Sequence, residues 1–136
     1  MPHLFCYGSL MFEPVWSRVV AGTYHATQAR LDGFERRGIT GATYPCLIPG
    51  SPQDRVSGIL YFEVGAADMA RLDAFEDDLY ERQTVTCVDR AQRSHDAQAY
   101  VLKPRYRSVA TVAAWDAEWF AREGLSQFLG KLNEME

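Results

Sequence analysis

Cysteine is scarce and ungrouped in this 136-residue chain: Cys6, Cys46 and Cys87 lie far apart, with no Cys-x-x-Cys pair among them. That usage suits a reducing compartment better than a disulfide framework, so free thiols are expected. Cys6 and Cys87 fall in predicted strands, where the expected role is a small buried hydrophobe and not a nucleophile. Histidine is equally sparse. His3, His25 and His95 show no ligand spacing and no accompanying carboxylate cluster, so neither a metal nor another cofactor is expected. No apolar run approaches the roughly 20 residues that span a bilayer, and Met1-Pro2-His3 runs straight into a strand without a charged leader, so the expected address is the cytoplasm. Positive charge is in deficit, the formal net charge being −4. Arg36 with Arg37, and Lys103 with Arg105 and Arg107, are short local groups that suit the approach of a small anion, not the long stripe that a nucleic-acid backbone demands. Repeats and low-complexity linkers are missing as well.

What remains is ordinary globular composition, 47% hydrophobic and 24% charged, in a length that fits one domain over residues 1–136, with a core and a pocket. The first organised segment is Leu4-Phe5-Cys6-Tyr7-Gly8-Ser9-Leu10-Met11. This apolar run breaks at a Gly-Ser turn, and Glu13-Pro14 then opens a helix reaching about Val20. Backbone N–H groups in such a loop lack partners and can receive a carboxylate or a developing oxyanion. Thr27 to Leu31 reads as a strand ending at the turn signal Asp32-Gly33, with further strands at 36–39 and 46–48. Residues 49–54 are a polar loop, and Val56 to Val64 is the most β-like run.

The most informative segment follows. Met69, Leu72 and Phe75 recur at helical spacing after Gly65 as cap and Asp68 in the first turn, whereas Tyr80, Arg82, Thr84, Thr86 and Val88 alternate with their neighbours as in a strand to Asp89. Glu76 sits at the junction between the two periods, where a side chain can be held at a pocket mouth. A polar connection through 94–96 leads to a strand over 97–102, ended by Lys103-Pro104. From about Val109 the spacing of Val112, Trp115, Trp119 and Phe120 predicts an amphipathic helix that packs inward and stops near Gly124. Leu125, Phe128, Leu129 and Leu132 predict a second, short one.

In order and spacing these motifs resemble the γ-glutamyl cyclotransferase-like superfamily, closest to its avirulence-induced-gene-two-like and γ-glutamylamine cyclotransferase branch. The resemblance rests on Tyr7-Gly8-Ser9-Leu10-Met11, Leu31-Asp32-Gly33-Phe34, Gly41 with Tyr44-Pro45, Val56-Ser57-Gly58-Ile59-Leu60, and Leu72-Asp73 with Phe75-Glu76, Tyr80 and Arg82, and spans about the first hundred residues. It implies an α+β fold, a small mixed β-barrel flanked by helices. It also implies intramolecular acyl transfer, in which the α-amine of a γ-glutamyl group attacks its own side-chain carbonyl, releasing an amine and 5-oxoproline. Glu76 is then the general acid/base, the Gly8, Ser9 and Leu10 amides bind the carboxylate or oxyanion, and Tyr7, Tyr80 and Tyr100 line the pocket. With ordinary pKa values the first proton transfer, amine to Glu, is uphill by about 5 kcal/mol. Apolar walls would narrow that gap, as would Asp73, Asp77, Asp78 or Glu81 if close in space. Two other readings of the same pocket stay open: a non-catalytic sensor of a small carboxylate-bearing metabolite, and a different acyl or amine transferase with an external nucleophile. The leaving amine and the oligomeric state are not legible.

Overall fold

The computed structural model describes residues 1–135, excepting the side chains of Asp77 and Met135. Five strands close into a barrel in the order β1 (Leu4–Cys6), β5 (Arg55–Tyr61), β2 (Ala26–Asp32), β6 (Tyr80–Asp89) and β7 (Ser94–Leu102), and a second sheet has the order β4 (Pro45–Pro49), β3 (Phe34–Ile39), β8 (Ala110–Ala114). All neighbours pair antiparallel except β1 and β7, which meet in parallel at Leu4 and Gln98 and so close the barrel. The turn from β2 to β3 uses Gly33 at φ +84°, a left-handed conformation that glycine adopts freely.

Period-2 alternation divides the strand side chains between two cores. Phe5, Tyr7, Leu31, Val56, Leu60, Val85 and Val101 fill the barrel, where Ala29, Ala97 and Ala99 keep a five-stranded interior narrow enough to pack. Leu4, Cys6, Tyr80, Tyr100 and Leu102 face the other way, into a larger core beneath the helices. Those helices are α1 (Glu13–Val19), α2 (Ala66–Glu76), α3 (Ala117–Trp119) and α4 (Leu125–Met135), the last two joined by a π-helical turn over Phe120–Gly124.

The sequence expectations hold for the barrel strands and for α2, and fail in three places. Residues 94–96, expected as a connection, belong to β7, because the turn lies earlier. There Asp89 accepts the amides of Ala91 and Arg93, and Gln92 takes φ +64°. The expected helix from Val109 is the strand β8, paired to β3 through Ala110–Ile39 and Ala114–Arg37. Val112, expected to face inward, is 94% exposed. Helix begins only after Asp116, whose carboxylate accepts the amides of Glu118 and Trp119. Gly124 does not stop this helix. It lets the ring of Trp119 lie against the backbone, since an added Cβ would stand 2.7 Å from Trp119 Cζ3, and the chain runs through into α4.

Candidate active site

Two ties hold α2 in place. At its start Asp68, 5% exposed, accepts the amides of Ala21 and Gly22 (2.9 and 3.0 Å), the Tyr24 hydroxyl (2.6 Å) and the Arg71 guanidinium (2.7 Å). Further along, Asp73 accepts from the Tyr100 hydroxyl on β7 (2.7 Å) and pairs with Arg82 on β6 (3.0 Å). The helix therefore delivers its last residue, Glu76, to a fixed place at the mouth of β6.

That place is a cavity of about 460 Å³. Its walls come from the end of β1 and the following loop (Tyr7, Gly8, Ser9, Leu10), the β3–β4 turn (Gly41 to Pro45), the end of α2, Tyr80, Tyr100 and the inner face of α4. All seven residues expected at the site from sequence, Glu76, Tyr7, Gly8, Ser9, Leu10, Tyr80 and Tyr100, thus line one cavity. Among the described residues no hydrogen bond or ion pair reaches the Glu76 carboxyl group. Burial alone pushes its pKa up to about 8. The neighbouring acids expected to assist do not: Asp73 is engaged by Arg82 and Tyr100, and Asp78 by Lys103, Arg105 and Tyr106. Asp77 lies outside the described side chains. The Glu76 charge is felt by Cys6, Tyr7, Tyr80 and Tyr100, all of which it pushes up after burial has done so, which places the carboxyl group among them.

The three tyrosine hydroxyls serve the walls first. Tyr7 donates to the Tyr100 carbonyl (2.6 Å), Tyr80 to the Pro45 carbonyl (2.6 Å) and Tyr100 to Asp73. Each proton is spent on the protein, so toward a ligand these oxygens act as acceptors. The loop is fixed by Arg36, which donates to the Tyr7 carbonyl (2.9 Å) and lies over the Trp115 ring. The Met11 and Phe12 amides close back onto the Gly8 and Ser9 carbonyls, while the amides of Gly8, Ser9 and Leu10 bond no group among the described residues. Gly8 has an ordinary negative φ of −133°. Close approach is what requires it, because a Cβ would stand 2.7 Å from the Pro45 ring.

The basic groups expected along an anion's approach do not line the cavity. Arg36 is used as above, Arg37 pairs with Glu35, and Lys103 and Arg105 hold Asp78. The cation present is Lys131, which with Phe75, Leu79, Phe128 and Leu132 escaped the sequence reading of the site. The signals there were the Met69, Leu72 and Phe75 spacing for Phe75 and the apolar stripe at 125, 128, 129 and 132 for Phe128 and Leu132; Leu79 and Lys131 had none. Cys6 also lines the cavity, its thiol pushed up by burial and by Glu76; the Cys46 and Cys87 thiols are pushed up by burial to about 11. Among the described residues no group of His, Cys, Asp or Glu is placed to hold a metal ion, and no helix is long and apolar enough to cross a membrane.

A closed five-stranded barrel with one cavity at its mouth, lined by a carboxyl group and by loop amides that have no partner among the described residues, defines a class of small α+β pocket proteins. The sequence model of the family described as gamma-glutamyl cyclotransferase, AIG2-like, matches residues 4–120, and the chain belongs to that family. It is 30% identical over 136 residues to AIG2-like protein D of Arabidopsis thaliana, covering 98% of this chain and 88% of that one. A solution structure of an Arabidopsis thaliana protein superposes with a TM-score of 0.70 at 25% identity, covering 98% of this chain and 81% of that one. A structure titled gamma-glutamyl cyclotransferase shares the fold at a TM-score of 0.63 and 17% identity, over 79% of this chain and 75% of that one.

Proposed function

We propose that this protein is an acyltransferase of the γ-glutamyl cyclotransferase type, with Glu76 as its single acid/base. The observation that carries the reading is the Glu76 carboxyl group, which lines the cavity with no partner among the described residues and whose pKa loss of solvent pushes up to about 8. An α-amine titrates at about 8, so the uphill proton transfer that an ordinary glutamate would face nearly vanishes.

The γ-glutamyl group enters with its α-carboxylate or its γ-carbonyl oxygen on the Gly8–Leu10 amides. Its ammonium gives a proton to Glu76, and the freed amine attacks the γ-carbonyl carbon, closing a five-membered ring. Because both reacting groups belong to one molecule, positioning supplies much of the acceleration and no enzyme nucleophile is needed. The bond from the γ-carbon to the leaving nitrogen then breaks. The ring nitrogen gives up two protons in all and the leaving nitrogen takes up two, Glu76 carrying them in succession, so atoms and charge balance without water. The products are 5-oxoproline and a free amine. The partner is thus a small cytoplasmic γ-glutamyl compound and not a nucleic acid or membrane. A mere carboxylate sensor has no use for a raised acid beside the loop, which favours catalysis.

Incubation with γ-glutamyl amino acids, γ-glutamyl amines and glutathione, read by mass spectrometry, should give 5-oxoproline in equal amount to the released amine from at least one of them. Binding without any 5-oxoproline across the panel would favour the sensor.

A further inference from the structure

A further wall of the cavity is supplied by α4, which lies beyond residue 120, where the match to the family ends. It is firmly docked. Phe128 is buried against the rings of Tyr44 (5.9 Å), Phe75 (6.2 Å) and Phe120 (5.9 Å), and Asn133 accepts from Arg18 on α1 (2.5 Å). One turn beyond Phe128, Lys131 and Leu132 reach the same cavity. Its lining thus holds two side chains that are charged in water, Glu76 on α2 and Lys131 on α4, and Lys131 makes no ion pair among the described residues.

Resting on the cyclotransferase reading, we propose that α4 forms the leaving-group subsite and that Lys131 selects leaving amines that carry a carboxylate. The γ-glutamyl half brings its own ammonium and carboxylate, which Glu76 and the loop amides serve. The leaving half must then lie along the remaining wall. Phe128, Leu132, Phe75 and Tyr44 offer it apolar surface, and the Lys131 ammonium offers a counter-charge to an anion. The substrate class is therefore a γ-glutamyl amino acid with an apolar side chain. A γ-glutamyl derivative of a cationic amine would bring like charge to Lys131.

The test uses γ-glutamylphenylalanine and γ-glutamylphenethylamide, which differ only in the carboxylate of the leaving half. Wild-type protein should prefer the first at least about fivefold in kcat/KM, the preference residing in KM, as expected for a partly exposed ion pair. Lys131→Met, which keeps the apolar stem, should bring the two near parity. Equal losses on both compounds would assign Lys131 to the γ-glutamyl carboxylate and overturn the proposal, as would an unchanged preference. Turnover of neither compound while another γ-glutamyl compound of the panel is cyclised would overturn the proposed substrate class, and turnover of none would sink the cyclotransferase reading instead. Calorimetric binding of the same pair to Glu76→Gln, with and without Lys131→Met, then still decides the role of Lys131: a carboxylate preference that Lys131→Met removes supports it, and none overturns it.

Discussion

Glu76 carries a proton in the folded protein over a range in which the unfolded chain has lost its own. Its pKa is raised from about 4.5 to about 8 by burial, so between those values the folded state binds more protons and stability falls as pH rises. The decline is complete above about pH 8 and absent below about pH 4.5, with a size on the order of 5 kcal/mol. Denaturant titrations of Glu76→Gln should show little change near pH 4 and a clear gain at pH 9. A variant no more stable than wild type at pH 9 would mean that the carboxyl group is not held away from water. Gly8 makes a second case. The rigid Pro45 ring stands where a Cβ would go and is tethered through its carbonyl by Tyr80. Gly8→Ala should therefore push the loop amides out of line, raising KM about tenfold or more while costing ~1–3 kcal/mol of stability. An unchanged KM in a folded variant would remove the loop from substrate binding. Glu76 was legible because the hydrophobic period changes around it. The reason for Gly8 was not, since Pro45 approaches from another sheet.

Helix α2 and the strands around it were readable from periodicity, because each presents one clean face to one core. The stretch after Lys103 was not. Trp115, Trp119 and Phe120 recur at helical intervals, yet Trp115 lies before the helix, its indole N–H donating to the Thr43 carbonyl (2.7 Å), and the preceding residues pair with β3. Strand pairing with a distant partner overrode the local pattern. The anchoring of α2 by Asp68 belongs to this scale too. Hydrogen bonds, that from Tyr24 foremost, hold its carboxyl down to about 2. It therefore contributes stability above its unfolded pKa near 4 that is lost as pH falls toward 2. Asp68→Ala should cost about 2 kcal/mol at pH 7 by orphaning two amides and a hydroxyl, with the deficit shrinking in acid. If thermal melts find the same deficit at pH 2.5 as at pH 7, packing and not ionised Asp68 ties α1 to α2.

At the scale of the whole molecule, the barrel and three of the cavity walls follow from motifs in the first hundred residues. The fourth wall comes from α4, which only tertiary docking of Phe128 against Tyr44 and Phe75 brings home. Residues far apart in sequence thus make one apolar enclosure, and it is this enclosure that raises Glu76. The account stands or falls on that side chain. The direct measurement is the rate of 5-oxoproline release per folded molecule, wild type against Glu76→Gln, on the best γ-glutamyl substrate across pH 6 to 9. Wild-type kcat/KM should climb with pH as Glu76 ionises near 8, and the glutamine variant should lose about 100-fold or more while still binding substrate. Comparable turnover in Glu76→Gln would contradict the central claim.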